Sequence, residues 1–446
     1  MVLTIFDLLL TPIYLLFIYF ISSFIQKKNE RKNPLYKWYT KGLFAKIGGA
    51  IALCLIYQFY YAGGDTTSYF ETAVPIGNLL WKDPAVFADV MLTGDNSWEN
   101  FVQFDYKTGF PRGYWFEEKT LFVSRLIAPF CIVSFNSFII TAILMAWVCY
   151  TGVWRLFLLF NQQFPQLQKQ MAISVLFIPS VVFWGSGLLK DTITLSALGW
   201  YTYHFYNFFI HKKYNFISGL CILTATYLLI SIKPYIFFAL VPGSIVWLSN
   251  ERLEKVKSKV IRFVAAPFFV SFGIGMGFFI LVQMGDALGA YAIDSVLDKA
   301  LESNLDQKQD YYGGNSFDIG EFDPTVSGVL SKAHLAITAT LFRPFIWESR
   351  NPVMLLSGIE NSYILLLTLL LMFKLKFIGF FTYIRKNPLL LFSMLFALFF
   401  AFSVGLATSN FGTLVRLKIP CIPFFVSSLF VIRHLYEQKY KKKLNF

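Results

Sequence analysis

Runs of about twenty apolar residues recur along this chain from one end to the other, and they limit what it can become. Segments 260–283 and 388–407 are examples. As helices they are long enough to cross a bilayer core of roughly 30 Å. Apolar residues make up 56% of the 446 and charged residues only 15%, against about 25% charge in soluble domains. A soluble enzyme, a secreted disulfide scaffold and a disordered tail protein are excluded. The fold class expected is all-α: a polytopic helical bundle of about eleven spans (10–13), a single transmembrane domain over 1–446 with two long outer loops containing interfacial helices.

The net charge of +13 is not a nucleic-acid footprint, because the basic residues form no stripe interleaved with stacking aromatics. Four segments (26–46, 251–262, 374–386, 433–443) hold 21 Lys/Arg and four acids, whereas 63–119 and 286–350 hold 9 basic residues and 19 acids. By the positive-inside rule the basic segments are cytoplasmic and the two acidic loops outside. The expected spans are 3–25, 43–62, 136–160, 171–189, 191–210, 214–232, 234–250, 260–283, 355–375, 388–407 and 418–436, with the N-terminus out and the C-terminus in. The first reads as a retained helix, since no basic region precedes it and no small-residue cleavage site follows it. Segment 120–134, with Arg125 and Pro129, is short for a span and reads as re-entrant or interfacial.

Loop 63–119 spaces Trp81, Phe87, Trp98, Phe101, Phe104, Tyr114, Trp115 and Phe116 between acids, a pattern suited to helices lying along an interface. Loop 286–350 predicts helices over Tyr291–Leu305 and Val326–Leu341, separated by the Gly/Asp-rich stretch 311–323 and closed by Arg343-Pro344. The five cysteines lie in or beside apolar segments without CxxC spacing, and the four histidines are scattered. Neither set suggests a disulfide framework or a metal site, and no cofactor is expected.

Setting aside the charges of the loops leaves Asp7, Arg125, Arg155, Lys190, Asp191, Lys233, Glu360, Arg416 and Lys418. A charge at bilayer depth normally faces a partner or a wet cavity, so these positions are the candidate site. In GGDTTSYF (63–70) two glycines permit a tight turn that presents Asp65 at a helix exit, followed by Tyr69. Asp65 could act as a general base; equally, Asp65, Thr66 or Thr67 could simply cap the next helix. PSVVFWGSGLLKDTI (179–193) reads as an outer hairpin with Lys190 and Asp191 at a helix start, suited to a phosphate oxygen; otherwise Asp191 serves the helix dipole and Lys190 snorkels. Lys233-Pro234, FRPFIWE (342–348) with Arg343, Glu360, and SNFGTLVRLK (409–418) with Arg416 complete the set. Glu360 is either a second catalytic carboxylate or a counter-ion of Arg416 or Lys190.

These residues resemble the GT-C superfamily of integral-membrane glycosyltransferases and the related Wzy-type polysaccharide polymerases. The likeness rests on Gly64-Asp65 with Tyr69, the interfacial loop after them, the hairpin Pro179–Asp191 and the Arg416 region. It implies sugar transfer from a polyprenyl-phosphate-linked saccharide on the outer face of a bacterial inner membrane, with Asp65 as base and Lys190 or Arg416 on the lipid phosphates. Asp65 follows the second helix rather than the first, and Thr66 replaces the acid of the common Asp-Glu pairing, which leans toward the polymerase branch. A transporter or flippase for a lipid-linked or anionic solute, and a non-catalytic subunit of an envelope complex, account for the same charges without chemistry.

Overall fold

The computed structural model describes residues 2–253, 316–320, 326–385 and 387–444. The expected span 260–283 and helix Tyr291–Leu305 lie outside them. Among the described residues the chain is helical throughout and contains no strand, only an isolated antiparallel bridge between Ser316 and Asn410. Five helices among the described residues are long and apolar enough to cross a membrane: Ile5–Glu30 (α1), Pro34–Phe59, whose α-helical part Tyr39–Phe59 is α2, Phe138–Gln163 (α7), Pro352–Arg385 (α15) and Pro388–Ala407 (α16). A sixth is a broken pair, Phe411–Leu417 (α17) and Ile422–Leu444 (α18), bent by 68°. This is the build of an integral membrane protein.

Between these lie Asp65–Lys82 (α3), Pro84–Thr93 (α4), Trp98–Phe101 (α5), Glu118–Val133 (α6), Gln168–Leu176 (α8), Pro179–Trp184 (α9), Lys190–Phe205 (α10), Phe216–Ile232 (α11), Pro234–Leu253 (α12), Val326–Ser331 (α13) and Ala333–Phe342 (α14). Local chemistry sets many of the ends. Asp83 accepts from the N–H groups of Ala85 and Val86 ahead of Pro84 at the first position of α4. Asn215, Asn387 and Asn410 cap α11, α16 and α17 in the same manner, each satisfying backbone donors that the first helical turn leaves open.

Several expectations change, among them the helix expected over Val326–Leu341, which is two, α13 and α14. Segment 171–189 is not one span: α8 stops before Pro179, and α9 runs only six residues before the turn that leads into α10. The span expected over 355–375 continues as α15 past a kink at Lys376, whose φ of 56° is left-handed.

The chain divides into two compact units, residues 1–158 with 181–200, and 159–180 with 201–446. In the first, backbones approach closely at glycines. A Cβ on Gly49 of α2 would stand 2.2 Å from the Val182 carbonyl oxygen, and one on Gly152 of α7 would stand 2.0 Å from that of Ser196. Without a hydrophobic force between helices in lipid, such small-residue contacts supply the packing. Beside them α3 packs on α6, and Arg125 of α6 donates to the Met91 carbonyl of α4. The aromatics of 63–119 divide. Phe104 and Trp115 are buried in a small core of their own, ring centroids 5.0 Å apart, while Trp81, Trp98 and Phe116 remain exposed.

The second unit is organised on α16. Phe392, Phe396 and Phe400 run down one side of it. Trp247 of α12 stacks on Phe392 at 4.7 Å, and Phe424 of α18 meets Phe396 at 5.0 Å. Gly405 lets the Ala336 carbonyl of α14 approach, and Thr340 donates to the Ala401 carbonyl at 2.8 Å.

Candidate functional site

In the first unit α2 leaves its last turn through Ala62, Gly63 and Gly64, with φ of 55°, 136° and 128°. Glycine reaches such angles without a Cβ penalty, while Ala62 in the left-handed region costs about 1–2 kcal/mol. The Gly63 N–H donates to the Tyr57 carbonyl at 2.9 Å, closing the turn. Asp65 then stands as the first residue of α3, with Gly64 in the cap position. The carboxylate is half-buried and accepts from the Tyr114 hydroxyl at 2.8 Å, and the Tyr114 ring lies 4.8 Å from that of Tyr69. So the Gly-Gly turn does present Asp65 at a helix exit, and the residue is not the N-cap. A carboxylate held by a phenol at the positive end of a helix is placed to accept a proton from a hydroxyl brought against it.

Lys190 and Asp191 begin α10 in the same unit, and Asp191 is fully buried. The turn before them lies alongside the middle of α2. Val182 meets Gly49, a Cβ on Gly187 would stand 2.5 Å from Leu53, and the Lys46 ammonium donates to the Gly185 carbonyl. Leu53 is six residues short of Phe59, so the turn lies roughly 9 Å along the α2 axis from its end. Lys46 belongs to no cytoplasmic loop; it is the eighth residue of α2 and 5% exposed. The sequence reading missed it because it was counted with the basic segment 26–46.

The other predicted residues lie in the second unit. Lys418 sits at the bend between α17 and α18 and is 0% exposed. Its Nζ donates to Asn361 Oδ1 at 2.7 Å and to the Arg343 carbonyl at 3.2 Å, and Asn361 Nδ2 donates to the Pro344 carbonyl at 3.1 Å. Glu360, next to Asn361 on α15, accepts from both the N–H and the hydroxyl of Ser180, at 2.8 and 2.5 Å, and Lys418 is the cation that acts on it. The Glu360 oxygens anchor the start of α9.

Arg343 is engaged structurally rather than presented to a ligand. Its Nε donates to Glu348 Oε1 and Oε2 at 3.0 and 3.2 Å, and its guanidinium lies 5.0 Å from the Phe317 ring and 5.1 Å from that of Phe411. The Phe317 N–H donates to the Ser409 carbonyl at 2.7 Å, which ties segment 316–320 to the start of α17. Arg416 is in the last turn of α17, half-buried. Lys233 is buried at the break between α11 and α12, where its N–H closes on the Leu229 carbonyl. The second unit thus gathers Arg343 and Glu360 around Lys418. Asp65 and Lys190 share the first unit without sharing a level along α2.

Among the described residues no group of three or more His, Cys, Asp and Glu could hold a metal ion, and all five cysteines are free thiols. No family model, curated protein or solved structure matches the chain.

Proposed function

We propose that the protein is a membrane glycosyltransferase or polysaccharide polymerase of GT-C or Wzy type, moving a sugar from a polyprenyl-phosphate-linked donor on the outer face of the membrane. The observation that supports the reading is the Asp65 arrangement: a carboxylate delivered by three left-handed residues to a helix start and held by the Tyr114 hydroxyl. An acceptor hydroxyl attacking the anomeric carbon must lose its proton, and Asp65 would receive it while the lipid phosphate departs with the bonding pair. Charge building on that phosphate needs cations, a role for Lys190 in the same unit as Asp65. Within the second unit Glu360 holds the start of α9 and Arg343 holds the 316–320 segment. The accompanying topology is eleven spans with the N-terminus outside and the C-terminus cytoplasmic, in a bacterial inner membrane.

A second reading, transport of a lipid-linked or anionic solute, is favoured by one observation. Both units contain a discontinuous helix with a buried lysine at its break, α9–α10 with Lys46 and α17–α18 with Lys418. Transporters build midplane sites from broken helices of this kind.

The two separate on a single substitution. Asp65→Asn in the purified protein should lower transfer of saccharide from a polyprenyl-phosphate donor by about 10²–10⁴-fold, the range for a lost general base, with protein abundance unchanged. Full transfer by the variant removes Asp65 as base. Movement of labelled donor across a vesicle bilayer without any transfer would establish the transport reading instead.

A further inference from the structure

The proton acceptor of the proposed reaction stands inside a group of tyrosines that proton transfer alone does not require. On one side of Asp65 is Tyr114, which donates to it, with Tyr69 against Tyr114. On the other side Tyr57 packs so closely on Gly64 that a Cβ there would stand 2.8 Å from its ring. The ring of Tyr61 meets that of Tyr57 at 5.3 Å, and Tyr60 meets Tyr61 at 5.1 Å. Tyr57 and Tyr69 are buried and serve as the base of the arc, whereas Tyr60 and Tyr61 are 56% and 45% exposed. The same left-handed turn that delivers Asp65 takes Tyr60 and Tyr61 out of the helix, the Tyr61 N–H still donating to the Ile56 carbonyl at 3.0 Å.

Exposed tyrosines at a membrane surface are ordinary as interfacial anchors. Anchoring does not explain why they are stacked together in the turn that delivers a carboxylate. That combination matches a pyranose ring, which carries an apolar C–H face and a rim of hydroxyls. The C–H face carries partial positive charge and suits the negative face of an aromatic ring, while the rim suits carboxylate acceptors and phenolic donors.

We propose that Tyr57, Tyr60, Tyr61, Asp65 and Tyr114 form a saccharide subsite, with one sugar ring stacked on Tyr60 or Tyr61 and its hydroxyls directed to Asp65. The subsite deepens the transfer reading by making the acceptor itself a saccharide, and it rests on that reading only for which hydroxyl reacts. Binding makes and breaks no covalent bond.

The test is saturation-transfer NMR on the full chain in nanodiscs with three neutral probes, maltotriose, triacetylchitotriose and laminaritriose. At least one should receive saturation on its ring C–H protons. Tyr60→Ala with Tyr61→Ala should lower that signal about 5-fold, the scale of a lost aromatic face. Tyr60→Phe with Tyr61→Phe should retain it to within about 2-fold. Should the alanine pair fail to fold, Tyr60→Leu with Tyr61→Leu keeps the apolar bulk without the aromatic face and decides the same point. Absence of signal above empty nanodiscs for all three probes overturns the subsite, as does full signal in the alanine or leucine pair. Because binding is read without turnover, a bound trisaccharide together with unaltered transfer by Asp65→Asn would leave the subsite standing and remove the catalytic reading.

Discussion

Lys46 and Lys418 are both buried lysines that donate to a backbone carbonyl, Lys46 to one in the turn between α9 and α10 and Lys418 from the bend between α17 and α18, and their surroundings differ in kind. Lys418 has the Asn361 amide oxygen, the Arg343 carbonyl and the electrostatic company of Glu360. Lys46 has the Gly185 carbonyl, and among the described residues no carboxylate pairs with it. The first is a charge compensated by a network; the second is a charge spent on holding a turn. Removing one member of a compensated buried pair strands the other, whereas removing a lone buried ammonium strands only a carbonyl. The same residue type therefore carries different energetic consequences in the two places.

The largest effect should come from the compensated site. Lys418→Met leaves Glu360 without its cation and Asn361 without its donor, and should lower stability by about 3–5 kcal/mol, read as a fall in the thermal midpoint of detergent-purified protein. Adding Glu360→Gln should return part of the loss, with a coupling of about 0.5–3 kcal/mol; strict additivity would mean that the two do not interact.

Next comes the close approach beside Lys46. Gly49→Ala drives a methyl into the Val182 carbonyl and should cost about 1–3 kcal/mol. Gly48→Ala, one residue away with nothing within 4 Å of its Cβ, should be neutral or gain up to about 1 kcal/mol. Equal effects would show that α2 and α9 are not in contact there. Lys46→Met should be milder, no more than about 1–2 kcal/mol, since the lost hydrogen bond to Gly185 is offset by removal of an uncompensated charge. A loss as large as that of Lys418→Met would break the comparison.

The smallest effect belongs to a partly exposed pair, which calibrates the two buried sites. Lys82 lies 2.9 Å from Asp105. Its hydrogen bond, followed by that of the Thr108 N–H, brings the Asp105 carboxyl down to about 2. The folded value lies below the unfolded one of about 4. The contribution is therefore complete above about pH 4 and is lost as the pH falls through about 2. An NMR titration of the Asp105 carboxyl should place its midpoint below pH 3 and move it upward in high salt, since exposed pairs are screened.

Much of the helical framework was legible as hydropathy. The α16 boundaries, Pro388–Ala407, are those of the apolar run, because Asn387 and Pro388 mark its start. The Gly63-Gly64 turn was legible because few residues other than glycine take those angles. Lys46 was not, since counting basic residues by segment says nothing about where a helix begins; α2 starts at Tyr39 and carries Lys46 inside. Segment 171–189 has span-like hydropathy, so the interruption could be read only from Pro179, Gly185 and Gly187 taken together. Lys418 stood among the unassigned charges, and Pro420 two residues on was the available sign of its bend. Arg343 looked like a ligand residue because its ring partners, Phe317 and Phe411, are near it only in three dimensions.

The bond between Lys46 and Gly185 also has an order in time. The acceptor is made 139 residues after the donor, which at about 5–20 residues per second is a delay of roughly 7–30 s. For that interval α2 has left the ribosome with an ammonium whose eventual partner does not exist. Six-residue α9 is too short to halt in the membrane by itself, so it must be received by helices already there. Lys46 can wait with its long side chain extended toward water or headgroups and withdraw when the Gly185 turn arrives. On that schedule the last step in assembling the first unit is the docking of 181–200 onto a helix synthesised long before it.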